Sequence, residues 1–289
     1  MSHQEIKGIY VALITPFRKD GSIDVQALDE HINRLIDSGV HGLVPGGSTG
    51  EFTALSVEER KQLVEAVIRS AKGRVGVMAG IGDLSTAKTV DLAKHAAQAG
   101  ADSIMVVPPE HMSEVHKASG LPIVYYNIPS ATGVRLTPLE LAALSEVGVY
   151  YLKDTSGDAP ALTEMLFNPK VSSRITAFNG WDTLTFYGLA AGAKGSVWGA
   201  TNIIPELSMQ LWDAVAVRGD LREGRELWGK IFPICKLLES GNYAGLVKTG
   251  MELRGWTTGG MKKPYNLAKS EVRAELAALL KDAGITTIE

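Results

Sequence analysis

Short apolar runs alternate along the chain with longer stretches whose apolar residues recur at helical spacing. The first run covers residues 9–17, and the stretch after it places Leu28, Ile32 and Leu35 on one face before Gly39. Eight such units follow one another, and their apolar runs lie within residues 9–17, 42–47, 74–82, 103–109, 122–129, 149–153, 174–180 and 194–200. Strands alternating with helices predict a parallel sheet with right-handed crossovers, and eight units predict a closed (β/α)8 TIM barrel of the α/β class. A doubly wound open sheet is the alternative, but no GxGxxG follows any of the runs.

The tail of the chain follows a different pattern. From about residue 220 no further strand is predicted, and three helices over residues 221–240, 243–255 and 270–284 are separated by a loop over residues 255–265. No linker rich in proline, glycine or serine precedes them. We therefore predict a barrel over residues 1–219 and a three-helix appendage over residues 220–289 that packs on it. At two barrel helices, Ser56 with Glu59 predicts a capping box, and Ser85 predicts a second N-cap.

Composition narrows the classes of function. The chain has 289 residues, a formal net charge of -3 and one cysteine, Cys235. These values exclude an internal disulfide and a cysteine-rich metal site, and they do not favour a nucleic-acid or membrane partner. The six histidines show no metal-ligand spacing, so no metal is expected. The first residues lack an apolar signal core, which predicts a cytoplasmic protein.

Lysine in the sixth run is the first candidate for chemistry. Lys153 ends the apolar residues 149–152 and is followed by turn-forming polar residues. A strand buried on both faces brings such a lysine into the interior, where burial favours the neutral amine. A neutral amine attacks a carbonyl carbon and forms a Schiff base. The alternative is a strand-end lysine whose ammonium reaches solvent.

Two more strand ends carry polar residues that would meet Lys153. After the second run, Ser48 and Thr49 lie in GGSTGEF, where hydroxyls and backbone N–H groups suit a carboxylate, although a plain turn has the same composition. In the fifth run Tyr125 and Tyr126 point to opposite faces, so that one of them enters the barrel unless both pack as core residues. The loops after the strands of a TIM barrel meet at one end, so together these residues predict a proton relay and a carboxylate site around an amine nucleophile.

These motifs resemble a known family. GGSTGEF, YNIPSATG and YLKDTSGD, with TPF near the start and NGWD later, are similar to the class I pyruvate-dependent aldolases of the dihydrodipicolinate synthase and N-acetylneuraminate lyase superfamily. The resemblance implies that Lys153 forms a Schiff base with pyruvate or another 2-oxo acid, with no other cofactor. It also implies that Tyr126 shuttles protons, that Ser48 and Thr49 bind the carboxylate, that Thr49 hydrogen-bonds Tyr126, and that Val197 adds backbone contacts. A homo-oligomer, tetramer or dimer, is implied as well.

The departures from the family pattern bear on the substrate. The synthases carry an arginine that holds the second substrate's carboxylate, and this chain has Ala131 there, which removes a bidentate clamp. Sialate lyases share Thr155 and the segment that holds Gly180 and Asp182. We therefore predict a lyase, an aldolase or a dehydratase, for shorter 2-oxo-3-deoxy sugar acids, with Thr155 and Asp182 meeting sugar hydroxyls.

Three alternatives stay open. Sialate lyases have a glutamate where this chain has Thr183 and a serine where it has Gly199, which weakens but does not remove N-acetylneuraminate lyase as a reading. The 4-hydroxy-tetrahydrodipicolinate synthase reaction is the second alternative, and a catalytically weakened barrel that binds 2-oxo acids is the third. A phosphate-binding barrel is disfavoured because no glycine-rich anion cradle follows the last two strands.

The fourth βα unit is unusually short. Only residues 110–120 separate the fourth run from the fifth, which leaves space for a two-turn helix. The family's second tyrosine, which completes the relay across a subunit interface, has no counterpart, and His111 stands nearest by count. Either the unit is truly trimmed, or residues are missing from the sequence.

Overall fold

A closed parallel barrel forms the centre of the molecule. The computed structural model describes residues 5–107 and 112–288. Within them eight strands pair in chain order, and the last pairs with the first. The strands are β1 Gly8–Ala12, β2 Gly42–Val44, β3 Gly76–Gly80, β4 Ser103–Val106, β5 Ile123–Asn127, β6 Val149–Asp154, β7 Thr176–Asn179 and β8 Gly195–Trp198. The predicted TIM barrel is confirmed.

Helices surround the barrel and continue beyond it. They are α1 Val25–Asp37, α2 Val57–Ala71, α3 Thr86–Ala99, α4 Met112–Ser119, α5 Pro129–Thr132, α6 Pro138–Ala143, α7 Ala159–Phe167, α8 Pro169–Ser172, α9 Thr185–Ala190, α10 Pro205–Trp212, α11 Leu221–Leu238, α12 Tyr243–Leu253 and α13 Ser270–Asp282. Single 3-10 turns occupy Phe52–Ala54, Leu144–Val147, Asp182–Leu184 and Ala200–Asn202, and a π turn, Asp213–Val217, extends α10. The three predicted tail helices are therefore present as α11, α12 and α13.

Two strand boundaries differ from the sequence pattern. The first apolar run continues to Phe17, but β1 ends at Ala12, and the backbone N–H of Phe17 bonds the carbonyl of Thr258 instead of a barrel strand. Beyond β1, Ile14 packs in one apolar cluster with residues of the tail, whereas Leu13 and Phe17 pack with barrel residues. The strand β6 runs one residue past Lys153, because Asp154 still pairs with Asn127 of β5.

Both predicted helix caps occupy their positions, and one of them forms the capping hydrogen bonds. At α2 the Ser56 hydroxyl accepts from the backbone N–H of Glu59, whose carboxylate accepts from the N–H of Ser56, which confirms the capping box. Ser85 is the N-cap residue of α3, as predicted, but its hydroxyl accepts no hydrogen bond from the helix. Its backbone N–H donates to Asp83 at 2.9 Å, so an aspartate turn stabilises the loop before the helix.

The short fourth unit closes with a two-turn helix, as the spacing predicts. Helix α4 has eight residues. Strands β4 and β5 still pair, with Ile104 opposite Ile123 and Val106 opposite Tyr125. His111, the residue nearest by count to the family's second tyrosine, lies outside the described residues.

The tail shares an apolar core with the barrel. Ile9 of β1 and Trp198 of β8 pack in one cluster with residues of α11, α12 and α13, among them Ile234, Val247 and Leu276. Treating residues 1–219 and 220–289 as separate parts stays a prediction. Across the described ranges, no helix has both the length and the apolar character needed to cross a membrane.

Candidate active site

A cavity of about 240 Å³ opens where the barrel strands end. It brings together every residue that the sequence predicted for the site, from five different strands or the loops that follow them. These are Ser48, Thr49, Tyr126, Lys153, Thr155, Gly180, Asp182 and Val197. Carboxyl ends of parallel strands meet at one end of a barrel, and this is why residues distant in sequence share the cavity.

Lys153 lies inside the barrel. It pairs with Tyr126 on one side and Phe178 on the other, and it is only 5% exposed. Its Nζ lies 4.1 Å from the centre of the Tyr126 ring. A Cβ atom at Gly180 would lie 2.6 Å from the Lys153 Cγ, so the lysine stem needs a glycine beside it. The side chain therefore points into the barrel cavity and not toward the outer surface of the barrel.

The two adjacent tyrosines of β5 face opposite ways. Tyr126 belongs to the apolar cluster inside the barrel, with Val124 and Phe178. Tyr125 packs in the layer between the strands and the helices, with Leu141 and Leu152. The predicted division of the pair is confirmed, and Tyr126 is the one that reaches the cavity.

The turn over residues 46–51 carries the two hydroxyls. The N–H of Glu51 donates to the carbonyl of Ser48 at 3.0 Å, and Gly46 has a positive φ of 72° where an added Cβ would meet the carbonyl of Gly80 at 2.9 Å. Thr49 is buried and Ser48 is exposed to the cavity. The implied hydrogen bond between Thr49 and Tyr126 is not formed, although both side chains line the same cavity. We call Ser48, Thr49, Tyr126 and Lys153 the near wall.

An acidic group also lines the cavity. Buried Asp182 accepts a very short hydrogen bond from the Tyr243 hydroxyl and a second one from the N–H of Ala200 at 3.1 Å. The pKa of Asp182 is raised to about 6, chiefly by burial and to a smaller extent by the Glu239 charge. The hydrogen bonds from Tyr243 and Ala200 and the charge of Lys153 oppose this rise. Burial and the charge of Asp182 raise the pKa of Tyr243 well above its ordinary value. Tyr243 is thus a donor to Asp182.

A second carboxylate comes from the end of α11. The backbone N–H and the hydroxyl of Thr183 donate to the Glu239 carboxylate at 2.9 and 2.8 Å. Glu239 and Tyr243 both line the cavity, and sequence reasoning missed them. They lie 56 and 61 residues from the partners they bind, and no local pattern connects them. We call Asp182, Glu239 and Tyr243 the far wall.

Thr155 and Val197 complete the lining. The Thr155 hydroxyl donates to the carbonyl of Gly180 at 2.9 Å, so it keeps only acceptor capacity toward a substrate hydroxyl. Val197 of β8 is fully buried, and it pairs with Tyr10 of β1.

A wider opening of about 590 Å³ leads outward from the cavity. The two share Ser48, Thr49, Tyr126, Ile128 and Tyr243, and Ala131 lines the opening. Among the described residues that line either space, Lys153 is the single lysine or arginine. A search of the same residues for three or more histidine, cysteine or acidic groups around one possible metal position finds none.

Comparisons with known proteins agree with this geometry. A sequence profile of the dihydrodipicolinate synthetase family matches residues 5–283. The chain is 34% identical to the 4-hydroxy-tetrahydrodipicolinate synthase of Methanocaldococcus jannaschii, over 96% of this chain and 99% of that protein. The chain belongs to the dihydrodipicolinate synthetase family.

Solved structures of family members superpose on the whole chain. A dihydrodipicolinate synthase from Acinetobacter baumannii, solved with pyruvate, has a TM-score of 0.92 at 30% identity, over 98% of this chain and 100% of that one. A synthase variant described as monomeric has a TM-score of 0.87 at 26% identity, over 97% and 98%. The protein is accordingly a class I lyase that acts on pyruvate through a lysine Schiff base and needs no external cofactor.

Two departures from the family pattern change the lining of the cavity and its opening. A Cβ atom at Gly199 would lie 2.5 Å from the Tyr243 hydroxyl oxygen, so the serine of sialate lyases does not fit here. Ala131 leaves the rim of the opening without the charge that the synthase arginine supplies.

Proposed function

We propose that Lys153 is the imine-forming lysine of this lyase. Its position in β6 supports this assignment, because the side chain is largely buried, lines the cavity and lies beside the phenol ring of Tyr126. In the same proposal Tyr126 moves the proton, Ser48 and Thr49 bind the carboxylate of the 2-oxo acid, and Val197 contributes backbone contacts.

The charge of the far wall supports a substrate with a neutral, hydroxylated tail. Asp182 and Glu239 both line the cavity with their carboxylates, and Lys153 is the single lysine or arginine among the described lining residues. Carboxylates accept strong hydrogen bonds from hydroxyl groups and repel another carboxylate. This single observation carries the proposal of a 2-oxo-3-deoxy sugar acid as substrate, with Thr155 as a further acceptor near Gly180.

The proposed reaction is a retro-aldol cleavage. Lys153 condenses with the 2-oxo carbon and releases water. Tyr126 then takes the proton of the C4 hydroxyl, the C3–C4 bond breaks, and its electron pair flows into the imine to give an enamine and a free aldehyde. Protonation of the enamine at C3 and hydrolysis return pyruvate and Lys153. Loss of the C3 proton and the C4 hydroxyl as water is the alternative route from the same imine.

The second candidate is the 4-hydroxy-tetrahydrodipicolinate synthase reaction. The name of the relative from Methanocaldococcus jannaschii favours it. The alanine at position 131 and the acidic far wall weigh against it, because the second substrate of that reaction carries its own carboxylate.

We also propose a homo-oligomer, a dimer or a tetramer. Family membership supports association, while the relative described as monomeric indicates that a family member does without it. Light scattering at two protein concentrations tests the proposal, and a single mass near 30.9 kDa would oppose it.

A panel of substrates tests the proposed function. The protein is incubated with 2-oxo-3-deoxy acids of five and six carbons, and separately with pyruvate plus aspartate semialdehyde. We expect pyruvate release, or a dehydrated semialdehyde product, from the sugar acids and little consumption of aspartate semialdehyde. Efficient condensation with aspartate semialdehyde and no turnover of any sugar acid would overturn the substrate proposal in favour of the synthase.

A further inference from the structure

A buried ion pair joins the turn of the near wall to the tail helices. The Glu51 Oε1 atom lies 2.5 Å from Nζ of Lys248, and their side chains are 2% and 0% exposed. Lys248 belongs to α12, almost two hundred residues away in the sequence. Its Nζ also donates to the carbonyl of Gly260 at 2.7 Å and lies 4.2 Å from the centre of the Phe17 ring. The pair is a fixed attachment, because neither charge reaches water.

The backbone of Glu51 depends on this attachment. Its φ of 59° places a non-glycine residue in the left-handed region, which such residues occupy when their surroundings hold them there. The second carboxylate oxygen, Oε2, accepts the backbone N–H of Lys262 at 3.1 Å. Both oxygens of Glu51 therefore bind residues of the tail.

The position of Glu51 determines the position of the two hydroxyls. The N–H of Glu51 bonds the carbonyl of Ser48, which closes the turn that carries Ser48 and Thr49. The next residue back, Gly50, accepts the Thr15 hydroxyl at its carbonyl at 2.8 Å. An added Cβ at Gly50 would lie 2.9 Å from the carbonyl of Leu13, so the turn has no space in which to shift toward the barrel wall.

We infer that Glu51 and Lys248 are positioning residues, which hold Ser48 and Thr49 at the place where the carboxylate of a 2-oxo acid must lie beside Lys153. The tail helices thereby complete the near wall of the site. This inference rests on the proposed carboxylate-binding role of Ser48 and Thr49. It is independent of the identity of the rest of the substrate.

The test compares pyruvate with methyl pyruvate, which has the same reactive ketone but no carboxylate charge. In the full-length protein, the adduct on Lys153 is trapped with borohydride over a range of ligand concentrations. For Glu51→Gln we expect the pyruvate concentration at half-maximal trapping to rise about tenfold or more, since hydrogen bonds to a charged group are weakened. The methyl pyruvate concentration at half-maximal trapping should change by less than about twofold, which is the usual size of the effect between residues that do not contact each other.

A double variant tests the inference in a protein that is expected to fold. Removing one partner leaves a buried charge uncompensated, whereas removing both is often tolerated. Glu51→Gln with Lys248→Met should therefore fold and still lose affinity for pyruvate alone. The matched control is Glu206→Gln, which breaks the Arg254–Glu206 pair between the end of α12 and α10 without touching the turn. It should leave both half-saturation values unchanged.

Two results would overturn the inference. One is a double variant that binds pyruvate as the wild type does, and the other is an equal loss for pyruvate and methyl pyruvate. Ser48→Ala and Thr49→Val separate the inference from the proposed function. If those two variants lose pyruvate selectively and the Glu51 variants do not, only the positioning role fails. If Ser48→Ala and Thr49→Val bind pyruvate normally, the proposed carboxylate site fails as well.

Discussion

The near wall and the far wall of the cavity differ in charge and in origin. The near wall carries an amine, a phenol and two hydroxyls on barrel strands or the turns directly after them. The far wall carries two carboxylates and a phenol, and two of its three residues, Glu239 and Tyr243, come from the tail helices or the turn between them. In the proposed function, chemistry on the 2-oxo group and selection of the rest of the substrate therefore belong to different parts of the fold.

Replacement of the lysine should give the largest loss of activity, and it should reduce both substrate turnover and pyruvate proton exchange. Lys153→Ala removes the imine-forming amine, so we expect turnover to fall by at least about 10³-fold, as for other covalent nucleophiles. Exchange of the pyruvate C3 protons in D₂O should stop as well. Thermal unfolding checks that the barrel is intact. Exchange at the wild-type rate would remove Lys153 from the mechanism.

Replacement of the phenol should give the next largest loss. Tyr126→Phe keeps the ring beside Lys153 but removes the hydroxyl that we propose transfers the proton. Proton transfer by a positioned side chain typically contributes about 10²- to 10⁴-fold to the rate. We expect slow cleavage and slow proton exchange, with borohydride trapping of pyruvate retained. Wild-type rates in this variant would show that another group transfers the proton.

A substitution in the far wall should affect only the second part of the reaction. Glu239→Gln keeps the shape of the side chain and weakens a charge-assisted acceptor, worth about 1.5 to 3 kcal/mol, so kcat/KM for the sugar acid should fall by about 10- to 150-fold. Proton exchange of pyruvate should be unchanged. An equal loss of kcat/KM for the sugar acid and of the rate of pyruvate proton exchange would show that the two walls do not have separate functions.

The last prediction concerns stability and not activity, through the pH dependence of Asp182. Its folded-state pKa of about 6 lies above the ordinary 3.8, so protonation favours the folded state. The resulting stability is fully present below pH 3.8 and is lost as the pH rises through 6. Asp182→Asn lacks this titration. The unfolding free energy of the wild type minus that of the variant should fall between pH 4 and pH 7 by on the order of 2 to 3 kcal/mol, at 1.36 kcal/mol per pKa unit.

Denaturant unfolding at a series of pH values measures this difference. Groups that titrate equally in both proteins cancel in the subtraction. A difference that does not change with pH would mean that the pKa of Asp182 is the same in the folded and the unfolded protein, and that the far wall lacks the buried acid described here.

Parts of the site could be predicted because the barrel itself gathers them. An apolar run that ends in Lys153 fixes which end of the strand the lysine occupies, and parallel closure then brings it to Tyr126 and Thr49. Period-two alternation likewise separates Tyr125 from Tyr126. These inferences need only the order of the strands.

Other parts could not be predicted, because they depend on how the tail packs. Glu239 follows an amphipathic helix and reads as an ordinary solvated residue, and only the packing of α11 on the barrel turns it toward Thr183. Lys248 lies within α12 with no sign of its buried partner Glu51. At Ser85 the sequence offers two competing turn patterns, and the aspartate at 83 provides the one that forms.

Borohydride trapping with pyruvate, followed by mass mapping of the peptides, shows directly whether Lys153 forms the imine. We expect one adduct per chain, on the peptide that contains Lys153, and none in Lys153→Ala. An adduct on another lysine, such as Lys248, or no adduct in a protein that still turns over substrate, would contradict it.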